Sequence, residues 1–132
     1  AKGVTPDQLY SLFGDFLSKC KRKYPGQYAY IFADCAEQTL IAGMASRFPG
    51  VRNSLKNPIN DRIKGVNALV AQGKLYYTRD CKSLVDAMTT AVWDESKFED
   101  VRLDNGTSDI DSLDAAEYSW ERYLYQFAKL KG

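Results

Sequence analysis

Histidine is missing from the 132 residues, and cysteine and proline are scarce, at three and four. Without histidine the chain can build neither a Ser-His-Asp nor a Cys-His nucleophile, nor a zinc site of the Cys/His kind. Cys20, Cys35 and Cys81 are odd in number and lack paired spacing. That argues against a disulfide scaffold and for a reducing compartment. No run approaches the ~20 consecutive apolar residues of a membrane span, and no charged-then-apolar leader opens the chain, so no membrane partner is expected. Neither sign of charge dominates, with 18 Lys and Arg against 17 Asp and Glu. Acid-base or metal chemistry must therefore rest mainly on Asp and Glu.

What is present is a globular composition. At 45% hydrophobic residues the chain is too apolar to be disordered, and its length suits one domain over residues 1–132. The near-neutral total hides an asymmetry. Residues 1–90 hold 13 basic and 7 acidic side chains, whereas residues 91–132 hold 5 basic and 10 acidic. Blocks of like charge repel unless a cation or a basic partner neutralises them, or unless they form a solvated loop.

Local signals alternate between helix and strand, which predicts an α/β fold with a short, mainly parallel sheet flanked by helices. Thr5-Pro6 opens a first helix whose stripe is Leu9, Leu12, Phe13, Phe16, Leu17 and Cys20. Lys21-Arg22-Lys23 suits its negative end, and Pro25-Gly26 stops it. Tyr28–Ala33 is rich in aromatic and β-branched residues and reads as a strand. A short helix burying Leu40, Ile41 and Met44 ends at Pro49-Gly50, and Val51–Leu55 is a second strand. Asn57-Pro58 opens a helix with Ile59, Ile63, Val66 and Val70 in a stripe and Gly73 as its stop. Leu75–Thr78 is expected as a third strand, and Asp80 as the cap of a helix burying Leu84, Val85, Met88 and Val92. Residues 94–109 read as a polar loop with an Asn105-Gly106 turn. A last helix spans about Asp111–Leu130, with Leu113, Trp120, Leu124 and Phe127 inward.

Two groups of carboxylates carry the candidate chemistry. Asp34 directly follows the strongest strand, and in parallel α/β sheets ligands bind beyond the carboxyl ends of strands. The plainer reading is that it caps the next helix. Asp111 and Asp114 are three apart on the last helix and share a face beside the apolar stripe; the helix dipole alone would favour them there. Carboxylates bordering a core suit a shared hard cation, magnesium or manganese. In two-metal phosphodiester hydrolysis one such ion activates water and the other stabilises the leaving oxygen.

Several runs, in order, resemble the C-terminal nuclease domain of bacteriophage and prophage terminase large subunits. They are Ile31-Phe32-Ala33-Asp34-Cys35-Ala36-Glu37, then Leu55-Lys56-Asn57-Pro58-Ile59-Asn60-Asp61-Arg62-Ile63, then Gly73 through Cys81 with Trp93-Asp94 beyond. The last is Asp111-Ser112-Leu113-Asp114-Ala115-Ala116-Glu117-Tyr118, similar to the family's His/Asp-x-x-Asp-Ala-x-x-Tyr signature. The resemblance implies an RNase H-like three-layer fold and a two-metal endonuclease that cuts concatemeric double-stranded viral DNA. It implies Asp34, Asp111 and Asp114 as catalytic metal ligands, Asp109 as an outer-shell acid, and Lys56 and Lys64 at phosphates. The ATPase domain of the same subunit, the small terminase subunit and the portal protein are the implied partners, in the cytoplasm of the bacterial host.

One departure matters. The family's first-strand aspartate has no counterpart before Asp34, and no G-x-x-x-x-G-K-[ST] loop occurs. The chain is therefore expected to be a truncated nuclease domain, weakly active or inactive alone. Its strand Tyr28–Ala33, lacking a neighbour, would invite pairing with a second copy. Two other classes compete. One is a non-catalytic nucleic-acid-binding or packaging-motor assembly module. The other is a receiver-like or hydrolase-like α/β domain, which would need a phosphate loop or nucleophile elbow that does not occur.

Overall fold

Thr5 begins the first helix as the sequence predicts. In the computed structural model, which describes residues 3–26, 28–34, 36–97 and 101–127, α1 runs Pro6–Lys23. Gln8 N donates to Thr5 Oγ1 at 3.2 Å, and Thr5 N donates to Gln8 Oε1 at 2.9 Å. This reciprocal capping box satisfies two donors that a helix start otherwise leaves open. The chain falls into two compact units, Ala1–Ser54 and Leu55–Gly132. Among the described residues, no helix is long and apolar enough to cross a membrane.

In the first unit, α1 is followed by β1 (Ile31–Ala33), α2 (Gln38–Arg47) and β2 (Val51–Asn53). The strands pair in parallel, Ile31 with Val51 through Ala33 with Asn53. Parallel neighbours require a crossover, and α2 supplies it. The two strands are shorter than the sequence predicts. Residues 28–30 and 54–55 lie outside the ladder, because only three residue pairs come into register. The buried side chain of α1 is Tyr10, one position beyond Leu9 of the expected stripe, and Leu12 and Phe16 stay exposed. Two neighbours favour Tyr10. The Arg47 guanidinium lies 4.3 Å from its ring, and Gly43 leaves room for its hydroxyl, which a Cβ there would meet at 1.9 Å.

The second unit contains α3 (Ile59–Ala71), α4 (Lys82–Thr90), α5 (Ile110–Trp120), a single 3-10 turn (Glu121–Tyr123) and α6 (Leu124–Phe127). Arg62, Gly65, Val66 and Leu69 form the buried face of α3, while Val70 of the expected stripe is exposed. Gly65 decides that rotation, because Leu124 packs where a Cβ would sit, 2.3 Å from its Cδ1. Leu69 and Leu124 make the core, with Ala68, Leu75 and Trp120 against them. Gly73, at φ +64°, ends α3 as expected.

Three expectations are corrected. Leu75–Thr78 is not a strand: Leu75 turns into the core while Tyr76 and Tyr77 stand in solvent, so no sheet face forms. The expected long last helix breaks after Trp120 into the 3-10 turn and α6, with Phe127 exposed; its predicted end at Leu130 lies outside the described residues. The polar loop is partly ordered by an antiparallel bridge between Trp93 and Arg102. Asp94 N donates to Val101 O and Leu103 N to Val92 O, both at 2.7 Å.

Candidate functional site

That bridge carries Arg102 to α5, where it joins a cluster of four charged side chains. Its guanidinium grips Glu117 with both ends, Nη1 to Oε1 at 2.6 Å and Nη2 to Oε2 at 2.7 Å. Its Nη1 also reaches Asp114 Oδ1 at 2.8 Å. Arg62, from α3, donates Nη1 to the same Asp114 oxygen at 3.2 Å and lies 3.3 Å from Glu117 Oε1. The Arg62 guanidinium also sits 5.3 Å from the Tyr118 ring centre. Side-chain exposure is 5% for Arg62, 7% for Arg102 and 1% for Glu117, against 27% for Asp114.

Two cations and two anions thus neutralise one another out of water, with planar forks matched to carboxylates. Burial works against the Arg102 charge, yet hydrogen bonding to Glu117 and the nearby Asp114 outweigh it and hold its pKa above the ordinary value.

A second carboxylate acts in the same unit. Glu121 is buried, and its two oxygens accept from Asn57 N at 2.9 Å and Lys56 N at 3.3 Å. Lys56 has φ +50°, a left-handed conformation that ordinary residues avoid. Successive backbone N–H groups around such a residue form an anion-holding concavity, and Glu121 occupies it. The carboxylate therefore sets how the chain enters α3.

The residues singled out from sequence fare differently. Asp34 follows β1 directly and is exposed; its Oδ1 accepts from Ala36 N at 3.1 Å. It is not the cap of α2, since Glu37 holds that position. Asp109, Asp111 and Asp114 gather at the start of α5 in the other unit. Asp109 is its N-cap, accepting from Ser112 N at 3.1 Å and Ser112 Oγ at 2.7 Å. Asp111 is exposed on the first turn, and Asp114 faces the two arginines. Lys64 lies on the exposed face of α3, and Lys56 is exposed beside Asn57. Asp80 accepts from Thr78 Oγ1 in the turn before α4, whose N-cap is Cys81. Cys35 lies outside the described residues.

Among the described residues, no group of three or more Cys, Asp or Glu side chains is placed to hold a metal ion. An apolar cleft lined by Val66, Met88, Val92, Trp93 and Leu113 also reaches Arg102, but that guanidinium is already engaged by carboxylates.

No family model, curated protein or solved structure matches the chain. The site therefore stands on its own residues. Sequence reasoning assigned no role to Arg62, Arg102, Glu117 or Glu121. A usable signal existed for one of them: Glu117 continues the three-residue spacing of Asp111 and Asp114 among Leu113, Tyr118 and Trp120. A carboxylate inside an apolar stripe needs a buried cation.

Asp109 offers a direct check. The Ser112 hydroxyl, then the Ser112 backbone N–H and the Ser83 hydroxyl, hold its carboxyl below the usual aspartate range. A depressed folded-state pKa stabilises α5 above the unfolded value of ~3.9, and that contribution disappears as pH falls through the lower folded value. Ser112→Ala is expected to move the Asp109 midpoint upward in a carboxyl NMR titration. An unchanged midpoint would show that Ser112 does not set it.

Proposed function

We propose that the chain is part of the RNase H-like nuclease region of a bacteriophage or prophage terminase large subunit, which cuts concatemeric double-stranded viral DNA for packaging. The observation that carries this reading is the ion pair between Arg62 and Asp114, at 3.2 Å across 52 residues. Arg62 belongs to the Pro-Ile-x-x-Arg-Ile run and Asp114 to the Asp-x-x-Asp-Ala-x-x-Tyr run. Chance likeness in two short runs supplies no reason for them to touch. A parallel strand–helix–strand unit with Asp34 just past β1 adds support, since that is where open α/β sheets bind ligands.

Among the described residues, the carboxylates do not amount to a two-metal centre. Asp114 shares its Oδ1 between two guanidinium groups, and no three acids come together among the described residues. Asp34 and Asp111 are exposed carboxylates suited to hard cations, whereas Asp114 neutralises Arg62 and Arg102. Double-stranded DNA, the ATPase domain, the small subunit and the portal protein are the proposed partners, in the cytoplasm of the bacterial host.

A manganese titration followed by NMR and by plasmid nicking tests the reading. Paramagnetic broadening is expected at Asp34 and at Asp111, each lost in its own Asp→Asn variant, while plasmid stays uncut. Broadening confined to Asp94 and Glu95 would overturn the nuclease reading. DNA binding that is steep in salt but indifferent to manganese would then favour a non-catalytic assembly module.

A further inference from the structure

Between α3 and α4 the chain turns outward at two neighbouring aromatic residues. Tyr76 is 85% exposed and Tyr77 57% exposed. The segment is held at both ends. Lys74 N donates to Leu69 O at 2.9 Å, and Leu75 packs on the Leu69–Leu124 core. Farther along, Cys81 N donates to Thr78 O at 3.1 Å, and the Thr78 hydroxyl bonds Asp80. The rings are therefore presented by a built turn.

Of the other exposed tyrosines, three already have contacts. Tyr24 lies beneath Lys23, Tyr30 beneath Arg52, and Tyr28 donates its hydroxyl to Cys20 O and Tyr24 O. Among the described residues, Tyr76 and Tyr77 make no ring or cation contact. The same short segment carries Lys74, Arg79 and Lys82 against a single acid, Asp80. Arg79 and Lys82 are exposed and form no ion pair among the described residues. Flat exposed rings interleaved with cations complement a flexible polyanion that carries flat rings of its own. Unpaired bases stack on aromatic faces while basic side chains follow the phosphates. A duplex keeps its base faces covered and offers the rings nothing to stack on.

We propose that the Tyr76–Tyr77 turn is a binding platform for single-stranded DNA, with both rings stacked on bases and Arg79 and Lys82 at phosphates. The choice of DNA over RNA rests on the proposed function; the stacking chemistry does not. The platform needs no metal, so it is tested in EDTA by anisotropy of a fluorescein-labelled oligothymidylate titrated with the whole chain.

The wild-type chain should bind the oligothymidylate more tightly than a duplex of equal length. Tyr76→Leu with Tyr77→Leu should weaken binding about 10-fold or more, and Tyr76→Trp should preserve it. Arg79→Ala with Lys82→Ala should lower the slope of log K against log salt by about 1.4, at ~0.7 per phosphate contact. Both rings are in solvent, so unchanged circular dichroism is expected in every variant. Equal affinity of the Leu variant and the wild-type chain, or preference for duplex, would overturn the platform. Tighter binding of oligouridylate would overturn the choice of DNA. Asp34→Asn should leave oligothymidylate binding unchanged, so the platform and the metal-dependent reading fail separately.

Discussion

Glu117→Ala is expected to destabilise the second unit by about 3–5 kcal/mol, the cost of breaking a buried ion pair by removing one partner. Glu117 accepts both Arg102 bonds and lies 3.3 Å from Arg62, so its loss leaves two buried guanidinium groups with only Asp114. Whole domains are stable by ~5–15 kcal/mol, so a loss of this size leaves the unit near its unfolding threshold. In urea the midpoint should fall sharply with an unchanged slope, the signature of lost stability without a changed unfolded state. Glu117→Gln should cost less, because one acceptor oxygen remains for the fork. Because these charges are buried, moderate salt should not narrow the difference between wild type and variant. A Glu117→Ala chain as stable as wild type would mean that water already satisfies the arginines.

Gly50→Ala should cost the first unit about 1–3 kcal/mol, the range for a residue held in a sparsely populated backbone region. Gly50 has φ +99°, and a Cβ built there would meet the carbonyl oxygen of Ala29 at 2.8 Å. That obstacle is backbone rather than a movable side chain. The same residue accepts from Ile31 N at 2.9 Å, the bond that opens the parallel ladder. With only three residue pairs in register, loss of this bond should release the sheet. Faster hydrogen exchange at the Ile31 amide is the expected result; unchanged exchange would show that the turn accommodates a side chain.

Both effects expose the boundary of what local patterns convey. Thr5-Pro6, Pro49-Gly50 and Gly73 announced helix ends correctly, because capping and positive φ are decided within a few residues. The strand–helix–strand order between residues 28 and 55 was equally legible, though the strands came out shorter. Leu75–Thr78 misled for a physical reason. Aromatic and β-branched residues favour a strand only where partner strands cover them, and here the chain turns through solvent instead.

The candidate acids divide in the same way. Asp34 could be placed at a strand end from its neighbours alone. The fate of Asp114 could not, since a solvated helix face, a metal ligand and an ion-pair partner share one spacing. It depends on Arg62, 52 residues away, and on Arg102, 12 residues away and held in place by its bridge to Trp93.

The amino-acid sequence by itself determined the α/β alternation, the helix boundaries near prolines and glycines, and the dependence of any acid chemistry on Asp and Glu. Only the tertiary structure decided which carboxylates meet water and which meet arginine. Burial is a property of the packed chain: a charge leaves solvent only when folding brings it an opposite charge, and sequence separation does not encode that meeting.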